Sequence, residues 1–112
     1  MKRGSLVTIA GGADYAGKPR PALVVQSDAF PTPASVTVCP LTTKEVESPL
    51  LRIGLLPTAE NGLAGPSWIM VDKILTVPRT KVGRANGEIT LAQLREVTEI
   101  LTAFLGAGEQ SA

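Results

Sequence analysis

The chain has 112 residues, 44% of them hydrophobic and 19% charged, with 11 Lys/Arg against 10 Asp/Glu for a formal net charge of +1. That length implies one domain, residues 1–112, able to bury about two thirds of its unfolded surface in a single modest core. Zero histidines and one cysteine exclude an intramolecular disulfide and argue against structural zinc, so neither a metal nor a cofactor is expected.

In chain order, short apolar or alternating runs separated by Gly and Pro predict strands at 6–10, 22–27, 36–41, 50–55, 68–71 and 73–77, the pattern of a small β-barrel or sandwich. In PLLRIGL, Leu51, Ile53 and Leu55 alternate with Arg52 and Gly54, which buries one face and turns Arg52 outward or into a groove. Residues 11–17 (GGADYAG) and 57–66 (PTAENGLAGP) read as flexible loops. From Thr90 the spacing becomes helical, with Leu91, Leu94, Val97, Leu101 and Phe104 on one stripe widened by Ile100 and Leu105. Thr90 and Gln93 form a capping box, Ile89 and Leu94 a hydrophobic staple, and Gly106 a C-terminal cap. This helix is expected to serve core or subunit packing.

Residues 1–87 carry ten Lys/Arg and six Asp/Glu, net +4, whereas 88–112 carry one Arg and four Glu, net −3. The asymmetry supports nucleic-acid binding only weakly, because an acidic outer helix face produces it equally well. With no run of roughly 18 apolar residues and no signal-peptide pattern at the start, a soluble cytoplasmic protein without membrane contact is expected, and a lone thiol suits a reducing compartment.

No Ser-His-Asp triad, GxxxxGK[ST] loop, CxxC pair or HExxH motif is present, so any chemistry must fall to Arg, Lys, Asp, Glu, Thr, Ser or Tyr. Three stretches stand out. In GKPRPALVV, Pro19 and Pro21 restrict the backbone around Arg20, whose guanidinium suits phosphate. In CPLTTK an apolar strand ends in Thr42, Thr43 and Lys44, and antiparallel pairing would bring Thr42 to the same end of the sheet as Arg20. In VDKILTVPRTK, Asp72 and Lys73 interrupt apolar residues, and Arg79, Lys81 and Arg84 follow as a basic cluster. Each has a plainer role open to it: a solvated arginine, turn hydroxyls, a carboxylate paired with a neighbouring cation, a solvated rim. Of the four aromatics, Tyr15, with Lys18 beyond it, and Phe30 are the expected exposed stacking platforms, whereas Trp68 is assigned to core or dimer packing.

GKPRPALVVQSD, SVTVCPLTT, NGL..PSWIMVDKILTVPR and the closing helix, taken in order over nearly the whole chain, resemble the MazF/PemK (Kid) toxins of toxin–antitoxin modules. The resemblance implies a mainly β, α+β fold, an SH3-like barrel with a C-terminal helix, and a homodimer. It also implies a metal-independent, sequence-specific endoribonuclease acting on single-stranded RNA, including mRNA, with a MazE/PemI-like antitoxin as partner. Position by position it assigns catalysis to Arg20 and Thr42, and to Asp72 as in some PemK-type members. Lys18, Thr43, Lys44, Lys73, Arg79, Lys81 and Arg84, with Tyr15, are the candidate RNA contacts. Two positions depart from the pattern: Met70 stands where an arginine can precede the acid by two residues, and Ser5 where the N-terminal RG motif usually continues with an acid.

Two other functions fit the same architecture. One is a CcdB-like toxin that inhibits gyrase by binding alone, and the other is a catalytically inactive RNA-binding barrel. The small, polar tail GAGEQSA counts against the first, because CcdB-like proteins act largely through their C-terminal residues.

Overall fold

The computed structural model describes residues 1–10, 18–44 and 49–109. Seven antiparallel strands and one helix form the fold: β1 Ser5–Ile9, β2 Arg20–Val24, β3 Ser35–Thr42, β4 Arg52–Leu55, β5 Ser67–Met70, β6 Leu75–Pro78, β7 Val82–Glu88 and α1 Leu91–Phe104. The strand order is β4-β5-β3-β2-β1-β7, with β6 also paired to β3. Strand β3 is the hinge of this arrangement, because one of its edges takes two partners in succession. Residues Ser35 to Val38 pair with β6, and Leu41 and Thr42 pair with β5. Pro40, which has no N–H to donate, lies at the changeover.

Both faces of the central strands are covered, which is why RPALVV and SVTVCPL read as nearly continuous apolar runs. On one face Leu6, Leu23, Cys39, Leu41, Ile53, Leu55, Ile69 and Val71 meet Val97 of α1, with Leu94, Ile100 and Leu101 packed against them. On the other, Val7, Ile9, Ala22, Val24, Val36 and Val38 are covered by Leu75, Val77 and Val82 as the sheet curls over itself. Strands β4 and β5 contribute no residue to this second cluster.

The helix signals are realised bond for bond. Thr90 Oγ1 accepts from Gln93 N at 3.1 Å, and Gln93 Oε1 accepts from Thr90 N at 2.9 Å. At the far end Gly106, at φ 68°, donates to Ala103 O at 3.1 Å, and Ala107 donates to Thr102 O at 3.0 Å, closing a Schellman motif. The expected apolar stripe is buried only in its middle, since Leu91 is 80% and Phe104 43% exposed.

Three expectations change. Residues 49–51 form a 3₁₀ turn rather than the start of a strand, and residues 71–73 form another between β5 and β6. Segment 57–66 is tightly tied down, with Asn61 buried: its Oδ1 accepts from Thr58 N (2.9 Å) and Leu63 N (3.0 Å), and its Nδ2 donates to Leu56 O (2.9 Å). Strand β7 has no counterpart among the predicted strands. Its sequence, VGRANGE, lacks alternation because it is an exposed, bulged edge. Gly87 in it meets Asn61 so closely that a Cβ would sit 2.4 Å from the Asn61 carbonyl.

Candidate functional site

The β2–β3 register runs Val24↔Val38, Leu23↔Cys39, Ala22↔Pro40, and its continuation by two residues sets Arg20 level with Thr42. Arg20 also pairs with Ile9 of β1. Directly opposed residues in an antiparallel sheet share a face. Leu41 and Ile69 both enter the helix-side core, so the next pair, Thr42↔Trp68, projects the other way. Gly54 pairs with Trp68 in turn. One cross-strand row therefore reads Arg20, Thr42, Trp68, Gly54, all on the face turned away from α1.

Arg20 is exposed and Thr42 half-buried. The Thr42 hydroxyl accepts from Lys44 N at 3.1 Å, a turn-forming bond that occupies one lone pair and leaves its hydrogen to donate outward. The turn hydroxyl and the candidate hydroxyl are thus the same group. Thr43 and Lys44 lie exposed just beyond, and Lys18 is exposed before Arg20. On the other flank, Ala10 N donates to Lys81 O at 2.7 Å, placing Lys81 at the Arg20 end of β1. A recess of about 340 Å³ there is lined by Pro19, Thr8, Ala10, Thr80, Lys81 and Val82.

One step further along on the same face, Ala22 pairs with Pro40, and Met70 pairs with Arg52. Arg52 reaches from there to Asp72: Nε lies 2.8 Å from Oδ1, and Nη2 donates to Oδ2 at 3.2 Å. The guanidinium that the sequence lacks two residues before Asp72 is therefore supplied by the strand opposite, since Met70 is the register partner of Arg52. Beneath the pair, Cys39 is fully buried, and burial together with the Asp72 charge pushes its thiol up to about 12. That thiol stays protonated and inert.

Several candidates lie elsewhere. Arg79 donates from Nε to Thr32 O at 2.7 Å and sits where Ser35 pairs with Pro78, about 23 Å along β3 from Thr42 at ordinary strand rise. Phe30, 68% exposed, lines a recess of about 270 Å³ with Met1, Lys2 and Arg79 at that same distant end. Arg84 is exposed on edge strand β7, and Lys73 is exposed beside Asp72. Tyr15 falls outside the described residues. Ser5 is buried, its hydroxyl accepting from Lys2 N at 3.1 Å, which fixes the N-terminal turn. Trp68 departs from the core half of the expected core or dimer packing: the β5 alternation buries Ser67 and Ile69 and leaves Trp68 and Met70 half-buried. Its signal was the period-2 pattern of SWIM, readable only once the inward phase is known.

Fold and face together define the class: a small curled antiparallel sheet, backed by one helix, whose open side presents arginine and hydroxyl groups suited to phosphate. Comparison with known proteins supplies the family. Residues 2–105 match the PemK-like, MazF-like toxin of type II toxin–antitoxin systems, and the chain belongs to that family. It is 42% identical over 106 residues to a probable endoribonuclease MazF of Mycolicibacterium smegmatis, covering 95% of this chain and 97% of the relative. Among solved structures, a MazE–MazF complex from Deinococcus radiodurans superposes with a TM-score of 0.76 at 26% identity, covering 95% of this chain and 96% of that one. An endoribonuclease in complex with its cognate antitoxin from a mycobacterial species gives 0.74 at 25% identity, with 95% and 93% coverage. The Mycobacterium tuberculosis toxin MazF-mt6 gives 0.73 at 27%, with 90% and 96% coverage.

Proposed function

We propose that the chain is a MazF-type endoribonuclease toxin that cuts single-stranded RNA at short sequences without a metal, works as a homodimer, and is neutralised by an antitoxin whose acidic tail lies in the RNA groove. The observation that carries this reading is the β2–β3 register through Ala22↔Pro40, whose extension by two residues brings Arg20 level with Thr42 on the face turned away from the helix. The M. smegmatis relative described as a probable endoribonuclease and the antitoxin-bound relatives support it.

RNA brings its own nucleophile, the 2′-hydroxyl. The protein need only hold that oxygen in line with phosphorus and stabilise the charge that grows on the phosphoryl oxygens. Arg20 clamps those oxygens with its forked donors, while Thr42, its lone pair already engaged by Lys44 N, donates its hydrogen to the same group. The 2′-hydroxyl gives up its proton to solvent as the O2′–P bond forms, the P–O5′ bond breaks and O5′ takes a proton from solvent, so that the products are a 2′,3′-cyclic phosphate and a 5′-hydroxyl. Asp72, with both oxygens against Arg52, acts by fixing that guanidinium under the groove rather than by taking a proton. Lys18, Lys44 and Lys81 supply phosphate contacts along the strand.

Apolar surface at the helix end, Phe104 and Leu105, and at Leu50 in the turn packed against α1, favours a second copy of the chain there. Incubating the purified protein with a long mixed-sequence transcript in EDTA, then mapping the new ends, tests the proposal. Cuts at a recurring short motif are expected. Intact RNA that is merely bound, or inhibition of gyrase in its place, overturns it.

A further inference from the structure

Trp68 is half-buried on a strand whose core-facing residues are Ser67 and Ile69. Its two cross-strand partners are Thr42 and Gly54, so it stands beside the proposed reacting groups and belongs to their row rather than to the core. Gly54 explains how the indole rests there. A Cβ built on Gly54 would lie 3.4 Å from Trp68 Nε1 and 3.6 Å from Cδ1, so the pyrrole edge leans across the bare glycine backbone. Leu41, Ile69 and Ile53, one register step away, fill the helix-side core and make a firm floor under the ring.

A broad aromatic surface beside a guanidinium, a hydroxyl and Lys44 matches the two needs of single-strand binding, a cationic track for the backbone and a flat face for a base. Adjacent strands are about 4.8 Å apart, so Trp68 lies roughly 10 Å across the sheet from Arg20. That span is comparable to the reach from a phosphate to its own base.

We propose that Trp68, seated on Gly54, is the stacking platform for a base flanking the cut, so that a nucleotide unstacked from the strand lies on the indole while its phosphate meets Arg20 and Thr42. This rests on the ribonuclease reading above and adds to it a base-binding residue. Stacking on an indole accepts any base, so Trp68 contributes affinity and alignment, and base identity is read by hydrogen bonds at the base edges.

Trp68 is the only tryptophan among the 112 residues, so its emission reports on this one position. The probe is an RNA fragment spanning a mapped cut site, carrying a single 2′-deoxy nucleotide at the cut and a fluorescein at its far end. Binding is followed by fluorescein anisotropy, and Trp68 emission is recorded at wavelengths that tyrosine does not absorb. Saturable quenching that tracks the anisotropy is expected. On all-RNA substrate Trp68→Ala should raise KM roughly 5- to 100-fold with a smaller change in kcat, and Trp68→Phe should restore most of it. Both variants should keep the wild-type Tm to within a few degrees and elute at the wild-type size.

Tight RNA binding with unchanged emission overturns the proposal while leaving the nuclease standing, and so does a Trp68→Ala enzyme with wild-type KM. An indole that answers only to a protein partner would produce either result. Equal loss in the Ala and Phe variants together with a lowered Tm also overturns it, in favour of a packing role. A wild-type protein that neither binds nor cuts RNA removes the ribonuclease reading, and this proposal with it.

Discussion

Arg52 and Asp72 face each other across the β4–β5 edge, Nε 2.8 Å from Oδ1 and Nη2 3.2 Å from Oδ2, with only 11% and 15% of their side chains exposed. A pair so nearly buried recovers its desolvation cost only while both members are present. Arg52→Met or Asp72→Leu alone should therefore cost about 3 kcal/mol, and the double variant should regain most of that loss. Urea denaturation of all four proteins measures the coupling. Simply additive losses would mean that the pair holds nothing together.

Arg20 is exposed at the mouth of β2, between Pro19 and Pro21, which restrict its backbone. Arg20→Ala should cut kcat by about 10²-fold or more, as expected for a lost transition-state donor, while Tm moves by no more than a few degrees. A parallel loss of stability and rate would make Arg20 structural. Arg20→Lys should rescue little, since a point charge does not reproduce the fork.

Thr42 carries two duties on one oxygen, the bond from Lys44 N and the proposed donation to phosphate. Thr42→Ser should keep both and retain most activity. Thr42→Val keeps the shape, loses the hydroxyl, and should lower kcat by about 10²-fold with a stability loss near 1 kcal/mol from the turn. Single-turnover cleavage and thermal melts separate the two effects.

How much of this was readable beforehand follows from how local each signal is. The helix was legible to its caps because Thr90, Gln93 and Gly106 act within one turn of their partners. Arg20 and Thr42 could be brought to one end of the sheet because a meander allows little else. The Arg52–Asp72 pair could not be found, because it joins residues twenty positions apart and depends on the β4–β5 register that sets Arg52 opposite Met70. Trp68 was misplaced for a related reason: SWIM alternates, but which phase points inward is set by Leu41 and Ile53 on other strands. Strand β7 was unreadable because its pairing rests on main-chain bonds and on Gly87 fitting against Asn61, neither of which leaves an apolar pattern.

Cys39 links the core to pH. Burial first, and the Asp72 charge second, raise its thiol from 9.0 to about 12. The folded form thus stays protonated where the unfolded chain has begun to ionise, so this contribution to stability is complete below pH 9 and is lost progressively as pH rises toward 12. Unfolding free energies of wild type and Cys39→Val should diverge over that window, with wild type showing the steeper decline. The native thiol should also resist alkylation at neutral pH until denaturant is added. Rapid labelling of the folded protein would contradict the burial argument.

The most direct measurement replaces one 2′-hydroxyl with hydrogen at a mapped cut site in an otherwise unchanged RNA and follows cleavage by the wild-type protein. In the proposed mechanism Arg20 and Thr42 only hold and stabilise a phosphodiester that is attacked by its own 2′-hydroxyl, so cutting at that position should cease while neighbouring sites are still cut and end in 2′,3′-cyclic phosphates. Continued cleavage at the deoxy position would show that the nucleophile comes from elsewhere, and the assignment of these two residues would fall with it.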